Sequence, residues 1–203
     1  MKHDRQLIVF ARAPVLGKVK TRLATDIGAE RALRVYRQLL QSALKRLSVC
    51  PCPKVLYADD LGLEDSAAGH GMALRRQSGA DLGERMAGAL HECLRDSRAV
   101  VLVGVDIPPL DAAYVESAFE KLESSDLVLG PTEDGGYCLI GMTRSAPSLF
   151  DNMPWGSENV CALTIAKAER AGLRVSLLPV LWDVDRASDL GRLDSCASVD
   201  SLP

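Results

Sequence analysis

Apolar residues recur along this chain with two alternating periods, and the alternation predicts its architecture. The continuous run Leu7-Ile-Val-Phe10 reads as a short buried strand. From Gly28 to Leu47, apolar positions at Ala32, Leu33, Val35, Tyr36, Leu39, Leu40, Ala43, Leu44 and Leu47 form a helical stripe. Lys54-Val-Leu-Tyr-Ala58 is the next strand, and residues 59–73, polar and glycine-rich, read as an excursion. Leu74-Arg-Arg-Gln77 predicts a short strand and Leu82 to Leu94 a helix. Ala99-Val-Val-Leu-Val-Gly104 is apolar throughout, as expected of a central strand covered on both faces. Ala112 to Leu122 is helical, and Asp126-Leu-Val-Leu-Gly130 and Tyr137-Cys-Leu-Ile-Gly-Met142 are strands separated by a Gly-Gly turn. Asn159 to Ala171 predicts a helix, Arg174-Val-Ser-Leu-Leu178 a strand and Ala187 to Leu193 a final short helix. Strands alternating with helices imply an α/β fold, three-layer α/β/α with a mostly parallel central sheet. No repeat, low-complexity tract or long linker divides it, so residues 1–203 are expected to form one domain.

Composition narrows the function classes. A chain of 203 residues that is 47% hydrophobic can bury a substantial core, built mostly from Leu, Val, Ile and Ala because only 4% of residues are aromatic. The net charge of −3 argues against a general nucleic-acid binder, which carries a basic surface. Met1-Lys-His-Asp-Arg-Gln leads into a short strand rather than a signal-peptide core, and no run of about 18 apolar residues follows. A cytoplasmic protein with no membrane partner is therefore expected. The cysteines at 50, 52, 93, 138, 161 and 196 are scattered through a chain too large to need stapling, which fits reduced thiols. Cys50-Pro-Cys52 lacks the C-x-x-C spacing of a redox or zinc site, and His3, His70 and His91 lack metal-ligand spacing.

Against this acidic background, Ala11-Arg-Ala-Pro-Val-Leu-Gly-Lys-Val-Lys-Thr-Arg22 concentrates Arg12, Lys18, Lys20 and Arg22 around a turn broken by Pro14 and Gly17. A basic turn between a first strand and a first helix suits nucleotide phosphates, because Lys and Arg supply charge-assisted donors and the turn can add backbone N–H groups. A solvated basic loop has the same composition. The segment lacks both G-x-x-x-x-G-K-[ST] and G-x-G-x-x-G, which excludes a standard P-loop or dinucleotide turn.

Ligands of such sheets sit beyond the carboxyl ends of the strands. Asp106 follows the central strand there, in Val105-Asp-Ile-Pro-Pro109, as a functional carboxylate or a turn residue; Asp111 is better placed to cap the next helix. Trp182-Asp-Val-Asp185 adds two carboxylates after another strand, and Asp185 could instead cap the last helix in competition with Ser188 and Asp189. Mg²⁺ commonly uses one or two carboxylates plus a substrate's phosphates. Asp106 with Asp183 or Asp185, opposite the basic loop, would hold a metal-bound di- or triphosphate and stabilise its leaving group. Glu133-Asp-Gly-Gly-Tyr137 reads either as a hairpin turn or as an acceptor-side segment, with Asp134, Gly135, Gly136 and a stacking Tyr137. Asp81-Leu-Gly83 reads as a helix cap or as part of a nucleotide enclosure.

These segments carry a resemblance. Phe10-Ala-Arg-Ala-Pro14 with Gly17-Lys-Val-Lys-Thr-Arg-Leu23, Asp81-Leu-Gly-Glu-Arg-Met86, Gly104-Val-Asp-Ile-Pro108, Leu129 to Gly141 and Asp183-Val-Asp-Arg-Ala-Ser-Asp-Leu190 together resemble the bacterial radical-SAM/selenodomain-associated transferases. The blocks span nearly the whole chain in the expected order. Arg186 stands where that family usually has Thr, and Trp155-Gly-Ser157 where it often has Trp-Ser-Thr. The resemblance implies a nucleotide-diphospho-sugar transferase (GT-A) fold, with Asp106 and Asp185 as ligands of Mg²⁺ or Mn²⁺ and Lys18, Lys20 and Arg22 along the phosphates. It also implies sugar transfer from a nucleotide sugar to a small-molecule acceptor. The dense cations of the first loop suit a nucleoside triphosphate particularly well, which keeps as the alternative a nucleotidyltransferase that joins it to a phosphorylated small molecule and releases pyrophosphate; a non-catalytic nucleotide-binding module is the third reading.

Overall fold

The opening strand lies at the centre of the sheet. In a computed structural model that describes residues 3–196, β1 (His3–Ala11) pairs in parallel with β2 (Lys54–Ala58) on one side and β4 (Ser97–Val103) on the other. Beyond β2 lies β3 (Ala73–Arg76), also parallel. On the far side of β4, β6 (Tyr137–Met142) runs antiparallel between β4 and β5 (Leu127–Pro131), and β7 (Val175–Leu177) closes that edge parallel to β5. The order is β3-β2-β1-β4-β6-β5-β7, seven strands with a single reversal at β6.

Both faces of the central strands are covered, which explains their unbroken apolar runs. Leu7, Val9, Val101 and Val103 point to one face, against α2 (Ala29–Ser48) and α5 (Ala112–Leu122). Ile8, Val100 and Leu102 point to the other, against α4 (Leu82–Asp96) and α6 (Val160–Arg170). Each such side chain contributes roughly 1.5–3 kcal/mol on burial, so a one-residue slip of β1 or β4 would exchange two filled faces. The expected three layers and mostly parallel sheet are present.

Three helical segments differ from the sequence reading. α1 (Thr21–Ile27) is separate from α2, because Gly28 breaks the helix with φ +85°. Its Leu23 packs against Ala32, Leu39 and Val184, tying the basic loop to the C-terminal segment. The stretch expected as an excursion contains α3 (Glu64–Gly69), whose only buried helical residue is Ala67, too little periodicity to detect. The last helix is a 3-10 turn at Ala187–Asp189 leading into α7 (Leu190–Cys196). Cys50, Cys52, Cys93, Cys138 and Cys161 are free thiols, and the side chain of Cys196 lies outside the described residues. Among the described residues no helix is long and apolar enough to cross a membrane.

Candidate functional site

Strands β1, β2, β4 and β5 end at one edge of the sheet, and β6, running the other way, begins there. Gly104 N donates to Cys138 O at 3.0 Å, so the end of β4 and the start of β6 are joined. The loops at this edge enclose a cavity of about 700 Å³. The basic loop, Asp106, the Thr132–Tyr137 segment, the 155–157 turn and the 183–185 segment all reach it.

Lys20 and Asp106 meet in its wall. Lys20 Nζ donates to Asp106 Oδ2 at 2.7 Å, with the lysine side chain 7% exposed and that of Asp106 37%. Burial works to raise the Asp106 pKa, but the charge of Lys20 and its hydrogen bond outweigh it and pull the carboxyl below its ordinary range. Lys20 itself sits at φ 48°, ψ 48°, the left-handed region, as the N-cap of α1. A lysine held there costs on the order of 1–3 kcal/mol, a strain typical of sites where geometry matters more than local comfort. Val19, 2% exposed, anchors the loop behind it.

The C-terminal carboxylates are docked on Asp106 through the backbone. Val184 is fully buried and its N–H donates to Asp106 O at 3.1 Å, which brings Asp183 and Asp185 to the cavity on either side of it. Burial pushes the Asp183 carboxyl up to about 6, helped by the charge of Asp106, opposed by Lys20, and helped again by Asp134 and Asp185. Asp185 Oδ2 accepts from Arg22 Nη1 at 3.0 Å. The competing cap role falls to Asp189, whose Oδ2 accepts from the N–H groups of Asp185 and Arg186 at 2.9 and 2.7 Å. Arg186 points away to Asp26, at 3.6 Å. Among the described residues no group of three or more His, Cys, Asp or Glu side chains is arranged to hold a metal alone. The donor set of Asp106 with Asp183 or Asp185 consists of hard oxygens, and it fits a Mg²⁺ or Mn²⁺ ion that completes its shell with water and phosphate.

The cations divide into two groups. Arg12, Lys20 and Arg22 line the cavity, joined by Arg85, which donates to Gly79 O at 3.0 Å and which sequence reading missed. Arg85 lies inside the Asp81–Met86 block that carries the resemblance, but on a polar helix position that periodicity assigns to a solvated face. The Arg12 backbone is clamped by Tyr36, whose hydroxyl accepts from Arg12 N and donates to Arg12 O, both at 2.8 Å. Tyr36 reads in sequence as one more apolar stripe residue. Gly17 and Lys18 lie outside the cavity lining: Gly17 makes the turn at φ +75°, and the Lys18 side chain is exposed while its carbonyl receives Arg12 Nη1 at 2.9 Å.

On the other side, Asp134 Oδ1 accepts from Thr132 Oγ1 at 2.6 Å and Gly136 N at 3.0 Å, so the Gly-Gly segment is a hairpin turn that also lines the cavity. Gly135 is set back from it: a Cβ there would lie 1.9 Å from Glu158 O, and its own carbonyl accepts from Cys161 N. Tyr137 lines the cavity beside Trp155, edge to face with centroids 6.5 Å apart. Asp81 caps α4 by accepting from Glu84 N at 2.9 Å and also reaches the cavity, whereas Gly83 is buried against Trp155.

With this geometry in place, comparison with known proteins identifies the family. Residues 38–157 match the model described as "Uncharacterized protein conserved in bacteria (DUF2064)", and the chain belongs to that family. No curated protein matches it in sequence. Its structure is similar to that of a protein of Desulfovibrio desulfuricans G20 provisionally named a nucleotide-diphospho-sugar transferase, with 33% identity, TM-score 0.87, and 98% of this chain and 90% of that one covered. At lower identity it shares its fold with a cytidylyltransferase of Leptospira borgpetersenii serovar Hardjo-bovis (16% identity, TM-score 0.63, 98% and 89% covered). It shares it also with the 4-diphosphocytidyl-2C-methyl-D-erythritol synthase of Anaerococcus prevotii DSM 20548 (10% identity, TM-score 0.62, 98% and 99% covered). These matches bear out the GT-A fold of the resemblance; they do not touch its radical-SAM association.

Proposed function

We propose that this member of the family is a metal-dependent transferase that takes a nucleoside-diphosphate sugar as donor and passes the sugar to a small-molecule acceptor. One observation carries the reading: a lysine and an aspartate paired at 2.7 Å in the wall of a large cavity, with Asp183 beside the aspartate and three arginines around the rim. A fold-stabilising ion pair alone would not need a second, half-buried carboxylate facing the same cavity. The likeness to the Desulfovibrio protein supports the sugar-donor label.

In this reading Arg12, Arg22 and Arg85 meet the phosphates as charge-assisted donors, and Lys20 keeps Asp106 ionised. Asp106 with Asp183 or Asp185 would hold a Mg²⁺ or Mn²⁺ ion, which when bound would stabilise the charge on the diphosphate leaving group. Asp134, Gly136 and Tyr137 face the acceptor side of the same cavity.

A second reading has its own support. Four cations around one cavity suit a triphosphate, and the fold-level neighbours include cytidylyltransferases. The protein would then join a nucleoside triphosphate to a phosphorylated small molecule and release pyrophosphate. Mass spectrometry of reactions containing Mg²⁺, candidate acceptors and either nucleotide sugars or triphosphates separates the two. Nucleoside diphosphate together with an acceptor that has gained the sugar mass supports the first. Pyrophosphate formed only from triphosphates, and only with Asp106 intact, replaces it with the second. Failure of every nucleotide to bind leaves neither standing.

A further inference from the structure

One wall of the cavity holds polar atoms with nothing to bond. Tyr137 Oη, Trp155 Nε1 and Ser157 Oγ are shielded from solvent and have no hydrogen-bond partner, and all three residues line the cavity. Of the three, Tyr137 Oη lies beside the Thr164 hydroxyl, whose hydrogen goes to Val160 O at 2.8 Å and whose oxygen is free to accept from it, so Trp155 Nε1 and Ser157 Oγ carry the argument. Most buried polar groups in folded proteins are paired, so an indole N–H and a hydroxyl left unpaired in one cavity wall point to a ligand with oxygen partners for them. The surroundings are apolar and aromatic: Phe150 stacks on Trp155 with centroids 6.4 Å apart, and Tyr137 meets it edge to face. Gly83 makes room for the indole, since a Cβ there would lie 2.9 Å from Trp155 Cζ2.

Trp155 and Ser157 belong to a short turn, in which Ser157 N donates to Pro154 O at 3.1 Å and Gly156 has φ +84°. Arg22 ties that turn to the 183–185 segment. Arg22 Nη2 donates to Gly156 O at 3.2 Å while Nη1 holds Asp185. A phosphate that recruits Arg22 therefore competes with its grip on the turn.

We propose that Tyr137, Trp155 and Ser157 form the acceptor subsite, and that its ligand is a neutral hydroxylated ring, a sugar or cyclic polyol, admitted when the nucleotide draws Arg22 off Gly156. The chemistry follows from the donor set. Trp155 Nε1 only donates, so the ligand presents an oxygen to it; the two hydroxyls donate or accept, as ring hydroxyls require. The aromatic faces cover the C–H surface of a ring. No charged group belongs to the three, which disfavours an anion in the subsite itself. The inference rests on the transferase reading for the nucleotide that moves Arg22.

Two titrations test it. Calorimetry with Mg²⁺ and UDP, GDP, CDP and ADP first identifies the nucleoside diphosphate that binds. Ligand-observed NMR then follows D-glucose, D-galactose, D-mannose and myo-inositol, and the hexose 6-phosphates, with and without that nucleotide. The expected result is saturable binding of at least one neutral ring, strengthened by the nucleotide, and weakened about three- to ten-fold by Trp155→Phe and by Ser157→Ala while nucleotide affinity holds. Arg22→Ala, lacking the latch, is expected to take up the same ring without nucleotide. Absence of nucleotide binding in the first titration sinks the transferase reading, and Arg22→Ala then tests the subsite independently. No ring bound by either protein, binding indifferent to both wall substitutions, or a preference for the phosphorylated rings overturns the proposal.

Discussion

Lys20 Nζ and Asp106 Oδ2 lie 2.7 Å apart although the two residues are 86 positions apart in sequence, one on the loop after β1 and the other after β4. Because β1 and β4 are adjacent and parallel, their following loops must face each other across the same sheet edge. The pair joins the basic loop to the carboxylate cluster, and its asymmetry of exposure makes it sensitive to the loss of either partner.

Removing the lysine charge should cost more than removing both charges. Lys20→Met leaves Asp106 without its cation, a loss on the order of 1–3 kcal/mol once the opening of Asp106 to the cavity is allowed for. Lys20→Met with Asp106→Asn should recover part of that loss, and Asp106→Asn alone should fold while losing Mg²⁺-dependent nucleotide affinity. Urea denaturation of the three variants, with calorimetry of nucleotide binding, checks the order. A double variant less stable than Lys20→Met excludes the electrostatic account.

The Asp183 carboxyl gives a pH signature. Its folded-state pKa, about 6, is raised above the roughly 3.9 of an unfolded chain, so the folded protein holds this proton more tightly. The stability associated with it is present in full below about pH 4 and is lost as pH rises through about 6, where the buried carboxylate must carry charge. Asp183→Asn should therefore gain on wild type between pH 4 and 6.5, by about 1 kcal/mol once solvent screening of this half-buried group is allowed for, and stay level above. Stability curves of the two proteins that run parallel across this window would refute the assignment. Mg²⁺ affinity of the wild type should rise over the same interval, as the proton leaves.

Among the loop cations, position relative to the cavity should rank the effects. Arg12→Ala and Arg22→Ala should weaken a nucleoside diphosphate about ten-fold or more while sparing the nucleoside, as expected for a lost charge-assisted hydrogen bond. Lys18→Ala, whose side chain is exposed away from the cavity lining, should change little. Equal losses for all three, measured by calorimetry, would mean that the cations act as a diffuse field rather than as contacts.

Gly135→Ala should destabilise the protein strongly, by on the order of 3 kcal/mol or more. The new methyl meets the Glu158 carbonyl, a backbone atom two residues before α6 that cannot swing aside as a side chain could, and the residue sits at φ +84°. Thermal unfolding checks the loss. A variant with wild-type stability would show that the turn has a second conformation open to it.

Periodicity carried much of the architecture. Strands β2 and β6 and helix α5 coincide with their sequence-derived ranges, and the continuous apolar runs at Leu7–Phe10 and Ala99–Gly104 mark the two strands that lie side by side at the centre. Chemistry-bearing loops were also legible, because carboxylates and cations placed just after strand patterns fall at strand ends in any parallel sheet. The short helices α1 and α3 were not, since each buries a single residue, Leu23 or Ala67, and leaves no period to read.

What the sequence determined by itself is therefore the sheet-and-helix alternation and the loops on which Arg12, Lys20, Arg22, Asp106, Asp134, Asp183 and Asp185 sit. Tertiary structure alone decided how they are matched. Val184, buried in a small cluster with Leu23, docks the last carboxylates against Asp106, and Asp189 accepts from the N–H groups of Asp185 and Arg186 at the helix start, which leaves the Asp185 side chain to Arg22. The reversal of β6 brings Tyr137 next to the end of β4, and the fold from α4 to α6 closes Trp155 over Gly83. Such pairings depend on which strands neighbour one another and on how side chains fill the space between layers. Local propensity depends only on residues a few positions apart, so it cannot contain them.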